Sequence, residues 1–191
     1  MQDDLDVLVR QAKRIRNVEI MFIPGLLQTP GYARSRSLEA VRNHGFAEDK
    51  VDAAVAARIR RQEVLYEEGR DFEFTIMETA LLVRSCPPDV MQGQLDRLEI
   101  AAGLTGVRLG IIPVDAQLTL VPDMGFLVAD DVAFIETPTS QDFLRGTEAA
   151  TYDQIADGCR AESVTDDAAR QLIMKASRRW RSLADGGTSE Q

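Results

Sequence analysis

The chain has 191 residues, 45% apolar and 28% charged, with a net charge of −9. That length favours one domain with a sizeable core, and the composition is that of an ordinary soluble globular protein. The acidic balance argues against a chain that grips nucleic acid by itself.

In chain order, residues 3–18 read as an amphipathic helix, with Leu5, Leu8, Ala12 and Ile15 at helical spacing. The run from Ile23 to Arg34 follows, and its two prolines and two glycines mark a corner. Pro24 fixes its own φ and holds Ile23 extended, so the chain turns there and Leu26 and Leu27 bury. Thr29 then caps a helix from Pro30 to about Asn43. The single histidine, His44, precedes Gly45 and reads as a helix C-terminus. Residues 48–67 form a third helix, and the turn at Gly69 and Arg70 ends it.

The period then drops to two. Phe72, Phe74 and Ile76 alternate with Glu73, Thr75 and Met77, as in a strand with one buried face, and Glu78 stands at its end. The segment Cys86-Pro87-Pro88-Asp89 launches a helix to about Ala102. Val107 to Val114 is nearly continuously apolar, which predicts a central strand. Met124 to Ala129 and Val132 to Glu136 form a hairpin around Asp130-Asp131. Residues 146–161 are helical, and Thr165-Asp166-Asp167 opens a last helix to about Leu183, with Trp180 as a core or interface anchor. The expected architecture is one α+β domain over residues 1–184, a small four-stranded mixed sheet covered by about six helices. Residues 185–191 form a disordered tail.

Several chemistries have no signature. There is no phosphate-binding glycine loop, no GxSxG or HExxH, and no Cys/His spacing for zinc. No metal or cofactor is therefore expected. Cys86 and Cys159 read as reduced thiols. The arginine clusters (10–16, 58–61, 178–181) read as solvated helix faces. Neither a signal peptide nor a transmembrane run is visible, so the expected location is the cytoplasm, with no membrane partner.

Glu78 and Glu136 each end a strand, where an open sheet places its binding crevice. If their strands are neighbours, both carboxylates face one pocket, and one of them serves as general acid or hydrogen-bond donor. Otherwise each caps a helix or pairs with an arginine such as Arg84 or Arg108. Gln28 and Tyr32 are either further polar groups of that pocket or buried corner residues with satisfied hydrogen bonds.

An ordered set of motifs supports a resemblance. Residues 23–34 (IPGLLQTPGYAR) are similar to the "PGLLQT–YAR" signature of the antitoxin-like domain that follows the helix-turn-helix in actinobacterial XRE-type regulators. Residues 57–65 (ARIRRQEVL) resemble its "AR–RQ–L" helix, and residues 78–81 (ETAL) its "EAAL" strand end. Met91, Gln94, Leu95 and Leu98 resemble "M–QL–L", residues 107–113 its "VTVQVLP" strand, and Gly125-Phe126 with Phe134-Ile135-Glu136 its final hairpin. Residues 115–120 depart from the Gly and His that the family often shows after this strand. The resemblance implies a regulatory module that senses a small molecule or a protein partner, a second copy of the chain included, and that binds no DNA without a reader domain. The alternative is a small-molecule enzyme of specialised metabolism on the same scaffold. It would run an acid/base-assisted, Pictet-Spengler-like condensation or cyclisation through Glu78 and Glu136, with Arg84 holding a substrate carboxylate.

Overall fold

A computed structural model describes residues 2–44, 47–119, 122–137 and 140–186. The first helix, α1, spans Gln2–Gln11, and strand β1 spans Arg14–Glu19. A short 3-10 turn, Gly25–Leu27, leads to helix α2, Pro30–His44, and then to α3, Val51–Arg61, which tightens into a 3-10 turn at Gln62–Tyr66. Strand β2 (Asp71–Met77), the single-turn helix α4 (Thr79–Leu82), helix α5 (Pro88–Ala101) and strand β3 (Val107–Ile112) follow. Strands β4 (Phe126–Ala129), β5 (Val132–Glu136) and β6 (Gln141–Arg145) precede the closing helices α6 (Thr147–Ala161) and α7 (Asp166–Gly186).

The sheet has six strands in the order β3-β2-β1-β4-β5-β6. The β1–β2 and β2–β3 pairs are parallel, and the pairs from β1–β4 to β5–β6 are antiparallel. This corrects the expected four strands and six helices: among the described residues the sheet has six strands and the chain forms seven α-helices. The two missing strands have separate causes. β1 (RIRNVE) occupies the centre of the sheet, yet it lacks the apolar alternation of a buried strand. Its Arg16 is 2% exposed, because Glu73 (2.7 Å), Asp153 (2.9 Å) and Asp157 (2.8 Å) neutralise it under α6. The helix therefore stops at Gln11, and the Asp130 carboxylate of the β4–β5 turn accepts the N–H groups of Lys13 and Arg14 to start the strand. β6 (QDFLR) is a short edge strand whose Phe143 packs on Phe134 with ring centres 5.0 Å apart.

β3 also differs from expectation. It is an edge strand, not a central one. Its apolar run is explained by burial on both faces, and a bridge from Ile111 to Val164 covers part of its edge. It ends at Ile112 because Pro113 has no N–H to continue the ladder.

Side chains alternate across the sheet. Ile15, Phe72, Phe74, Ile76, Leu109 and Leu127 join one core with α5, α7 and the Leu26-Leu27 corner, and Trp180 in that core donates Nε1–H to the Leu81 carbonyl at 2.7 Å. Val18, Ile112, Phe126, Val128 and Ile135 form a second, smaller core beneath α6. Asp185 and Gly186 belong to α7. The rest of the expected tail, residues 187–191, lies outside the described residues, as does Gly45 beyond the end of α2.

Candidate functional site at the carboxyl ends of the strands

β1, β2 and β5 run in the same direction, so their last residues share one edge of the sheet. Glu78 follows β2 and Glu136 ends β5. Their strands are not neighbours: β1 and β4 lie between them, a separation of three strand spacings, about 14 Å. Glu78 is 2% exposed and internally satisfied. Its Oε2 accepts the Val114 N–H at 3.0 Å, and its Oε1 meets Lys175 Nζ at 3.2 Å. Glu136 is exposed, and its Oε1 accepts the Gln141 amide at 2.5 Å.

The carboxylate that faces Glu136 belongs to Glu19, the last residue of β1, which sequence reasoning passed over. Burial, with the Glu136 charge adding to it, pushes Glu19 up to about 7, against the opposing effects of an Asn17 hydrogen bond and of Arg36 and Arg58. Asn17 is itself fixed by donating to the Phe126 carbonyl at 2.8 Å. Gly125 makes room: a Cβ there would stand 2.4 Å from Glu19 Oε2. Burial draws Arg58 below its ordinary value, and Arg61 adds to that. Arg58 forms no ion pair among the described residues, and its Nη1 donates to Gln28 Oε1 at 2.8 Å. The Arg36 guanidinium stacks 3.5 Å from the Phe22 ring centre and pairs with Glu39.

The Ile23–Arg34 corner forms one wall of this cluster. Gln28, buried, donates Nε2–H to the Ile23 carbonyl at 2.7 Å and presents its oxygen to Arg58. Two other amides fasten the corner from outside. Gln62 Nε2 donates to the Gln28 carbonyl (2.7 Å), and Gln94 accepts the Thr29 N–H (2.7 Å) while donating to the Leu27 carbonyl (2.8 Å). Thr29 caps α2 as expected, its Oγ1 accepting the Tyr32 N–H at 3.3 Å. Tyr32 is fully buried and its hydroxyl oxygen accepts the Ile23 N–H at 3.3 Å, which makes it an internal strut of the corner. Arg84 is exposed and unpaired among the described residues.

Of the five residues singled out, the fold therefore gathers Gln28 and Glu136 at the Glu19 cluster, with Tyr32 behind the corner. No local signal marked Glu19: it closes a strand without apolar alternation, just past the helical spacing that runs to Ile15. Arg58 was visible only as part of a basic cluster.

Burial pushes the Cys86 thiol up to about 11 and raises Cys159 as well, which keeps both free cysteines protonated at neutral pH. Among the described residues no group of three His, Cys, Asp or Glu is placed to hold a metal ion, and no helix is long and apolar enough to cross a membrane.

Residues 2–175 match a family described as a domain of unknown function, DUF5753. The chain belongs to that family. No curated protein matches it. The DUF5753 match includes all six strands, the corner, and every residue of the Glu19 cluster.

Proposed function

We propose that this DUF5753 domain is a regulatory, non-enzymatic module that senses a small ligand or a protein partner in the cytoplasm, as XRE-type regulators do behind their DNA reader, and that it does not bind DNA by itself. One observation carries the reading. Glu19 is held at the carboxyl edge of the sheet with its charge undecided near neutral pH, so a bound ammonium group would fix it as carboxylate. Arg58 and Gln28 tie that change to the corner and to α3.

A binding module of this kind is stabilised by its ligand, by about 2.7 kcal/mol at a hundredfold excess over Kd. A thermal-shift screen of primary amines and amino acids tests the reading. Stabilisation of the native chain, absent in Glu19→Gln, is expected. Equal responses in both proteins, or tight sequence-specific DNA binding by this chain alone in a gel shift, would reject it.

The second reading, a condensation or cyclisation enzyme, draws on the same carboxylate. An acid with a pKa near 7 is suited to both giving and taking a proton, and Glu136 stands opposite it. Under this reading Glu19 and Glu136 form the acid/base pair, since Glu78 is committed to Lys175 and Val114. Incubation with an arylethylamine and an aldehyde, followed by mass spectrometry, decides it. Condensed product that disappears with Glu19→Gln and Glu136→Gln supports the enzyme, and a rate equal to the protein-free control removes it.

A further inference from the structure

A second cleft lies at the other side of the fold, along the outer edge of β3, between the end of α5 and the first turns of α7. Its volume is about 170 Å³. Ala169 and Ile173 of α7 and Leu109 of β3 form an apolar floor, and Arg108, Arg160 and Arg170 stand around it. Only one carboxylate, Asp166, joins the lining, and its Oδ2 accepts the Thr165 hydroxyl at 2.8 Å. Each guanidinium also has an acid beside it, Asp71 at 2.7 Å from Arg108, Glu73 at 2.7 Å from Arg160 and Asp167 at 3.6 Å from Arg170, so the cleft offers directed N–H donors and not an excess of positive charge.

The internal partners of these arginines leave donors over. Glu73 is shared among three guanidiniums: Arg16 on Oε1 at 2.7 Å, Arg160 on Oε2 at 2.7 Å, and Arg108 at 3.7 Å. Arg160 has five N–H donors, and among the described residues only the Nη1 contact to Glu73 engages them. Arg170 has a 3.6 Å pairing with Asp167 and no other among the described residues. The backbone adds to this. Ile111 exchanges both of its main-chain hydrogen bonds with Val164, at 2.9 and 2.8 Å, on the outer side of β3. Strand alternation points the N–H and C=O of Leu109 the same way, into the cleft, where no strand pairs with them.

We infer that this cleft binds a small organic carboxylate, an anionic group on a short hydrocarbon chain or single ring. The carboxylate would accept from Arg160, Arg170 and the Leu109 N–H, and the hydrocarbon would cover Ala169 and Ile173. The volume is below the range of about 300–1,000 Å³ usual for drug-sized ligands, which limits the guest to one ring or a few carbons. A bare inorganic anion would meet the arginines and leave the apolar floor uncovered. The cleft lies away from the Glu19 cluster, so this inference stands or falls independently of the sensing proposal.

Benzoate is a suitable probe, followed by amide chemical shifts of the ¹⁵N-labelled chain. Saturable shifts at Leu109 and Ala169 are expected, with binding about tenfold weaker in Arg170→Gln and in Arg160→Gln, the change for one lost charge-assisted hydrogen bond. Arg170 is exposed, so its variant keeps the test valid should Arg160→Gln unfold by releasing Glu73. No saturable shift at Leu109, undiminished binding in Arg170→Gln, or equal shifts with inorganic phosphate would each overturn the inference.

Discussion

Gly125 and Glu19 are a matched pair. A Cβ at 125 would lie 2.4 Å from the Glu19 Oε2, 2.9 Å from its Cδ and 3.3 Å from the Val18 carbonyl, so Gly125→Ala must displace the carboxylate. The obstacle is the free end of a flexible side chain, so the cost should stay at or below about 1 kcal/mol, the low end for overpacking. The displaced acid, now nearer water, should titrate closer to its ordinary value, which carboxyl ¹³C shifts would report. The pH dependence of the native chain follows from the same residue. Glu19 holds its proton more tightly folded than unfolded, because its folded pKa is raised from 4.5 to about 7. Between those values the folded state binds more protons, so this group's contribution to stability is full below pH 4.5 and is lost as pH rises through 7. The loss is of order 3 kcal/mol at most. Denaturant unfolding at pH 5 and pH 8 should show that decline in the native chain and a smaller one in Glu19→Gln. An unchanged difference between the two pH values would mean that Asn17, Arg36 and Arg58 hold the carboxylate ionised.

β1 is the element on which sequence and structure part, and the cause is charge compensation at a distance. Leu5, Leu8, Ala12 and Ile15 continue a helical spacing past the true end of α1. The partners that let Arg16 enter the sheet, Glu73, Asp153 and Asp157, lie on β2 and α6. No local pattern reveals them. The β2 strand, the β4–β5 hairpin and the Thr29 cap were legible because each rests on neighbours in sequence. The order of strands was not, so Glu78 and Glu136 could be named but not separated. Arg16→Ala strips a buried charge network of its centre, and removal of one partner of a buried pair costs about 3–5 kcal/mol. Urea unfolding measures it, with the low end expected because Arg160 still reaches Glu73. Gln94→Leu leaves the Thr29 N–H and the Leu27 carbonyl unpaired, at about 1–3 kcal/mol for each buried group. It should also loosen the corner, seen as faster amide exchange at residues 27–29.

For the molecule as a whole, the two polar regions divide the surface between them. One gathers Glu19 and Glu136 with two arginines at the carboxyl edge of the strands, and the other gathers three arginines at the β3 edge. The net charge of −9 repels a phosphate backbone, and no measurable gel shift is expected at physiological salt. The central position of β1 has a further consequence, for the order in which the chain can acquire its shape. The first strand of this sheet to be made is the one that both halves of the sheet require. Arg16 meets Glu73 across 57 residues, and Asn17 meets Phe126 across 109. Until β2 emerges, Arg16 has no carboxylate to neutralise it, and until β4 emerges, β1 keeps one open edge. Long closures of this kind slow folding. The three parallel strands should therefore assemble first on a nascent chain, with Arg14–Glu19 exposed as a template on one side. Protease protection of ribosome-bound chains long enough to release β3 from the exit tunnel, and then long enough to release β5, would show this as two steps.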